Sequence, residues 1–192
     1  MNKHIIVVDD FYIDANETRA GAMAMPFDQE GNYPGKRTQP FTNNSMQTAM
    51  ENLINHPIAQ WGGFPNGSFQ ITTSHDRTWI HSDETTGWAG LVYLTPNAPH
   101  TAGTAFFEHI GLGLIKSPNH NDEQRLDMKL GEIYDRVSKD SQDFTKWRMT
   151  DRIANRFNRL VLYDSRLYHA SCDYFGDNLE NGRLFQVFFF TT

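Results

Sequence analysis

From residue 68 to the end, the 192-residue chain is written in short apolar runs separated by turn residues, and this punctuation limits the possible folds more than any other feature. Residues 68–73, 78–82, 88–94 and 103–108 each have strand length and strand composition. Between them lie Gly and Pro breaks such as Thr95-Pro-Asn-Ala-Pro99. Residues 159–163, 167–170 and 183–190 read the same way, the last as a near-continuous aromatic run. Many short strands with frequent turn signals point to a sandwich or jelly roll. Residues 121–138 break the rhythm, because Leu126, Leu130, Ile133 and Val137 recur at helical spacing. That stretch reads as a helix inserted between strands. Residues 144–157 fit either state, with Arg148, Arg152 and Arg156 forming a stripe if helical.

The first third has a different character. Residues 5–8 form an apolar run of buried-strand type. Asp14 or Asn16 can cap a helix over residues 17–25, which Pro26 stops. Residues 27–44 carry Gly31, Pro34, Gly35 and Pro40 with few aliphatics, so they read as a long loop, either functional or a plain connection. Residues 45–55 follow as a helix with Met46, Met50, Leu53 and Ile54 inward. The expected fold class is therefore mainly β with flanking helices, built as a jelly roll. One domain spans 1–192, with helical support over about 1–66 and a core over about 67–192 that carries an insertion over about 109–150. A chain of this length can bury a full core.

Charge and cysteine usage narrow the context. Seventeen Lys and Arg against 23 Asp and Glu give a net charge of −6, a field that attracts neither nucleic acid nor anionic membrane. Cys172 is the single cysteine, so no intramolecular disulfide is possible. The four-residue apolar run near the start is too short for a signal segment or a membrane span. A soluble, cytoplasmic protein is expected, with a small-molecule or peptide substrate as its partner.

The chemistry concentrates in His81-Ser-Asp83. On a strand, side chains at i and i+2 share a face, so His81 and Asp83 converge while Ser82 turns away. A later strand supplies His169. Two neutral imidazoles and one carboxylate on one side of an ion leave the other side open, which suits Fe(II) that must also take a co-substrate and O2. Arg183 opens the final strand among Leu184, Phe185, Val187 and Phe188. Buried there, its guanidinium calls for a carboxylate to grip bidentately.

His-x-Asp, a distal His and then a basic residue resembles the Fe(II)/2-oxoglutarate-dependent dioxygenases. The runs Gly90-Leu-Val-Tyr-Leu-Thr, Ala102-Gly-Thr-Ala-Phe-Phe and Asn158-Arg-Leu-Val-Leu-Tyr-Asp-Ser-Arg-Leu-Tyr-His-Ala-Ser are similar to prolyl-4-hydroxylase-like members. So is the opening Ile-Ile-Val-Val-Asp-Asp-Phe-Tyr. The resemblance implies a double-stranded β-helix, with His81, Asp83 and His169 as iron ligands and catalytic centre, and Arg183 holding the distal carboxylate of 2-oxoglutarate. It further implies oxidative decarboxylation of that co-substrate to succinate and CO2, coupled to hydroxylation of an unactivated C–H on an amino-acid or peptidyl side chain. Where some members place a Ser two positions after the Arg, this chain has Phe185. The hydroxyl of Tyr93 or Thr72 would then share the carboxylate.

Blander readings compete. His4, His56, His75, His100, His109 and His120 lie in turn-like text where a solvated His is the default. Cys172 reads as a small packed residue, and Trp79 and Trp88 as aromatic core. The Arg148, Arg152, Arg156 stripe reads as a solvated face or a greeting surface for an acidic substrate. Two other functions fit the same scaffold: a non-catalytic jelly-roll binding protein, and a cupin-like metalloenzyme independent of 2-oxoglutarate.

Overall fold

A computed structural model describes residues 4–84 and 86–192. In chain order the elements are β1 (Ile5–Val8), α1 (Ala15–Met23), β2 (Lys36–Pro40), α2 (Asn44–Ile54), β3 (Ser68–Thr72), β4 (Trp88–Tyr93) and β5 (Thr104–His109). Then come α3 (His120–Leu126), α4 (Leu130–Asp140), a 3-10 turn (Phe144–Lys146), β6 (Trp147–Ile153), β7 (Leu160–Asp164), β8 (His169–Ser171) and β9 (Arg183–Phe190).

Two sheets result. The larger has the order β1-β7-β4-β9-β3-β2 and the smaller β6-β5-β8, with every named strand pair antiparallel. From β3 onward the chain lays β3 and β4 in the larger sheet and β5 and β6 in the smaller, after which β7, β8 and β9 alternate between the two, so that the pair of sheets resembles a jelly roll. The central strands β4 and β7 of the larger sheet are buried on both faces, which is why they are near-continuous apolar runs. On its outer face Leu160, Leu162, Val92, Leu94, Leu184, Phe188 and Phe190 pack with Ala22 of α1 and Met46 and Met50 of α2. On its inner face Leu91, Tyr93, Val161, Tyr163, Phe185 and Val187 meet Phe106 of β5. The smaller sheet presents its inner residues to this interlayer and its outer residues, Ala105, Phe107 and Ala170, to Ile133 and Val137 of α4.

The N-terminal third is not purely helical. β1 pairs with β7 and β2 with β3, so both edges of the larger sheet come from this region. Asp14 provides the cap of α1, accepting from the Glu17 amide at 2.8 Å. Residues 27–44, read as one long loop, contain β2. That strand escapes notice because its buried positions are Arg37 and Thr38 rather than aliphatics. The insertion helix is two helices, since Asp127 takes φ 50° and ends α3, a conformation Asp tolerates better than most residues. Residues 147–153 are a strand, so Arg148, Arg152 and Arg156 do not line up. Each meets a separate carboxylate: Glu108 at 2.7 Å, Asp173 at 3.2 Å and Asp9 at 2.7 Å. His109, expected to be solvated, is 1% exposed and bonds Asp140 through Nε2 at 3.0 Å. Among the described residues, no helix is long and apolar enough to cross a membrane.

Candidate metal centre

The interlayer opens into a cavity of about 390 Å³ whose wall includes His81, Asp83 and His169. His169 starts β8, and its backbone exchanges both hydrogen bonds with that of His81, at 2.9 and 3.1 Å. The expected strand over residues 78–82 is reduced to this single bridge. Two of its other backbone groups are engaged elsewhere: the Ile80 amide donates to Ser141 O, and Trp79 O accepts from the His81 ring. Asp83 is fixed by its amide, which donates to Ser165 O at 2.7 Å. The two imidazoles and the carboxylate therefore rest on backbone contacts to neighbouring segments.

Ring orientation follows from the same carbonyls. His81 Nδ1 donates to Trp79 O at 3.0 Å and His169 Nδ1 to Leu167 O at 2.8 Å. With Nδ1 carrying the proton, each Nε2 keeps its lone pair, which is how outer contacts usually prepare a metal-binding His. Both Nε2 atoms face the same carboxylate, at 3.9 Å from Asp83 Oδ1 for His81 and 3.4 Å from Oδ2 for His169. One donor atom from each residue lies within 4.8 Å of the others. Ligands about 2.1 Å from an ion and at right angles sit about 3 Å apart, so only a small inward shift would seat a metal. The donor set fits a divalent ion.

The electrostatics agree with that fit. Burial, reinforced by neighbouring His169, lowers His81 to about 4, so its ring is neutral at physiological pH. Burial raises Asp83, but the neighbouring His169, His81 and the cation Arg37 outweigh it and hold the carboxyl below its usual range. A neutral imidazole and an ionised carboxylate are the forms that ligate.

Arg183, Tyr93 and Thr72 form a second cluster behind the cavity wall rather than on it. Thr72 pairs in register with Arg183, and its hydroxyl donates to Arg183 O at 3.5 Å. Tyr93 Oη shares a 2.8 Å hydrogen bond with Thr104 Oγ1, and Thr104 does line the cavity. Arg183 is fully buried. Its Nε donates to Ala102 O at 3.0 Å and one Nη to Gly103 O at 3.4 Å, while the other Nη has no partner. The guanidinium lies 4.4 Å from the Phe185 ring and 5.3 Å from that of Tyr93. Among the described residues no carboxylate pairs with it.

Several lining residues had no signal in the sequence. Arg37, Tyr33 and Gln70 reach the cavity from β2, the turn before it and β3, and Tyr174 from the connection after β8. Trp79, expected in the core, also lines the cavity. Trp88 does pack against the outer core, and half-buried Cys172 against the core under the smaller sheet. From the stretch 27–44, residues 32–34 line the cavity, whereas the α3–α4 insertion does not.

Two solved structures share this architecture. HygX from Streptomyces hygroscopicus, with nickel and 2-oxoglutarate bound, is 11% identical, with 96% of this chain and 81% of that one covered at a TM-score of 0.63. A prolyl hydroxylase from Trichoplax adhaerens, in complex with a hypoxia inducible factor oxygen degradation domain peptide, is 13% identical. There 97% of this chain and 82% of that one are covered, at a TM-score of 0.56. At such identities the likeness speaks for a common fold. No curated protein matches the sequence. Residues 1–190 do match one family along almost their whole length, and the chain belongs to it: DUF6445, a family of unknown function.

Proposed function

We propose that this protein is an Fe(II)/2-oxoglutarate-dependent oxygenase that hydroxylates an unactivated C–H on an amino-acid or peptidyl side chain. The observation that carries the reading is the pair of Nδ1-anchored imidazoles that turn their Nε2 atoms toward Asp83 at the cavity wall. His81, Asp83 and His169 would hold the metal on one side and leave the cavity side for ligands. Iron with 2-oxoglutarate and O2 supplies an oxidant able to remove hydrogen from an unreactive carbon, with succinate and CO2 as by-products.

The chain's own residues would bind, orient and shelter. Arg183 would take the distal carboxylate of 2-oxoglutarate through its unpartnered Nη, with Tyr93 or Thr72 as the hydroxyl partner. To reach it, the carboxylate must pass Thr104 and Phe185, which stand on the cavity wall in front of the cluster. Apolar walls at Leu91, Phe185 and Val187 would exclude water from the reacting centre. Arg183 also separates this reading from a cupin-like enzyme, which has no use for a buried cation waiting for a dicarboxylate.

The test is succinate formation from 2-oxoglutarate by iron-loaded protein, with His81→Ala, His169→Ala and Arg183→Ala beside wild type. Loss in both His variants, and recovery of the Arg183 variant at high 2-oxoglutarate, is expected. Full activity in His81→Ala would sink the assignment.

A further inference from the structure

We propose that Arg37 anchors a second anion subsite in the cavity, one that receives a carboxylate carried by the substrate. The inference rests on the oxygenase reading and names the substrate class for it: an organic acid, such as an amino acid or a peptide with a free C-terminus.

Arg37 is 8% exposed, a rare state for a guanidinium unless something pairs with it. Its orientation is built in. It stands opposite Gln70 in the register of β2 and β3, and its Nε donates to Gln70 Oε1 at 2.8 Å. Gln70 is itself held, since its Nε2 donates to Pro34 O at 2.6 Å. The guanidinium carbon lies 3.8 Å from the centre of the Tyr33 ring and 5.8 Å from that of Phe189. Contact with an aromatic face and one fixed hydrogen bond hold the plane of the group and leave its fork free. Among the described residues neither terminal nitrogen has a hydrogen-bond partner, and no carboxylate lies within ion-pair distance.

The fork belongs to the cavity of the metal centre. Arg37 lines it with His81 and Asp83, and its positive charge acts on both of them. Burial lowers Arg37 to about 10, so it remains a cation at neutral pH. The hydroxyls of Tyr33 and Tyr174, on the same cavity wall, are buried without a partner. They are the kind of neutral donors that accompany a bound oxyanion.

Charge balance selects the substrate as the source of that oxyanion. A divalent ion, Asp83, the two carboxylates of 2-oxoglutarate and Arg183 together cancel. Arg37 is then the uncompensated charge in a low-dielectric space, and an acidic substrate neutralises it. A neutral or cationic substrate does not.

Benzoate is a suitable probe, because Tyr33, Trp79, Tyr174 and Phe189 give the cavity aromatic walls, and benzamide is its uncharged counterpart. Each is titrated by calorimetry into Zn(II)-loaded protein, with and without 2-oxoglutarate, for wild type, Arg37→Met and Arg37→Lys. The structure predicts that benzoate binds wild type about tenfold or more tighter than benzamide. Arg37→Met should lose that preference while still binding 2-oxoglutarate, and Arg37→Lys, which keeps the charge without the fork, should fall between. Equal binding of benzoate and benzamide, or undiminished benzoate binding by Arg37→Met, overturns the proposal. So does loss of 2-oxoglutarate rather than benzoate in Arg37→Met, which would make Arg37 a co-substrate residue. Failure of wild type to bind 2-oxoglutarate, with benzoate still dependent on Arg37, removes the co-substrate reading and leaves the anion subsite standing.

Discussion

Replacing Arg183 by Met separates a ligand-binding role from a packing role, because the two move stability in different directions. The guanidinium is fully buried, holds two backbone carbonyls and has one nitrogen with no partner. Its removal orphans neither carbonyl: Ala102 O still accepts from Asn155 Nδ2 at 3.0 Å, and Gly103 O from the Cys172 amide at 3.1 Å. Met has similar length and suits the aromatic surroundings of Tyr93 and Phe185. Exchanging even a buried ion pair for well-packed apolar side chains is often neutral or stabilising by about 1–4 kcal/mol, and an ion with no counter-charge has less attraction to lose. In a domain of this size each kcal/mol shifts Tm by about 2–4 °C. The metal-loaded protein without 2-oxoglutarate should therefore melt at an unchanged or higher temperature as Arg183→Met. Its affinity for 2-oxoglutarate should fall, since hydrogen bonds to a charged group contribute about 1.5–3 kcal/mol, which is about 10- to 150-fold in Kd. Differential scanning fluorimetry with Zn(II), across a 2-oxoglutarate series, reads both quantities. A marked drop in Tm with an unchanged response to 2-oxoglutarate would refute the reasoning and make Arg183 a structural cation.

Two further perturbations test the fold beneath the site. Gly103→Ala would bring a Cβ to 1.9 Å from Ile153 O, where β5 meets β6; since backbone must yield, the variant should lose several kcal/mol, read as a lower denaturation midpoint. Asp9 ties the end of β1 to Arg159, at 2.6 and 3.0 Å, and to Arg156 at 2.7 Å. The hydrogen bonds from Arg159, ahead of the fields of both arginines, hold its carboxyl below the ordinary 3.8. A depressed carboxylate contributes stability that is complete above that value and is lost as pH falls through the folded one. The Tm gap between wild type and Asp9→Asn should be constant above about pH 5 and close in more acid solution; a gap that widens there contradicts the pairing.

What the sequence shows of this fold follows from where its physics is local. Residues 88–94, 159–163 and 183–190 announce the centre of the larger sheet because both their faces are buried and their runs are predominantly apolar. His81, Asp83 and His169 are visible because ligand chemistry restricts residue type and because i, i+2 spacing survives even where the strand shrinks to one bridge. Arg37 is invisible for the opposite reason. Its burial depends on Gln70, Tyr33 and Phe189, contacts that no periodicity in residues 27–44 reveals. The arginines at 148, 152 and 156 suggest a helical stripe by spacing alone, yet their partners lie on β5, on the connection after β8 and beyond β1. Likewise, the break at Asp127 is a single left-handed residue, which helical periodicity passes over.

Anaerobic titration of the metal-free protein with Fe(II) and then 2-oxoglutarate tests the central claim most directly, by watching for the visible charge-transfer band of a 2-oxoacid chelated to ferrous iron. The account predicts a saturable band in wild type that disappears in His169→Ala. Iron binding without a band would contradict the co-substrate assignment, and no iron binding at all would contradict the metal centre.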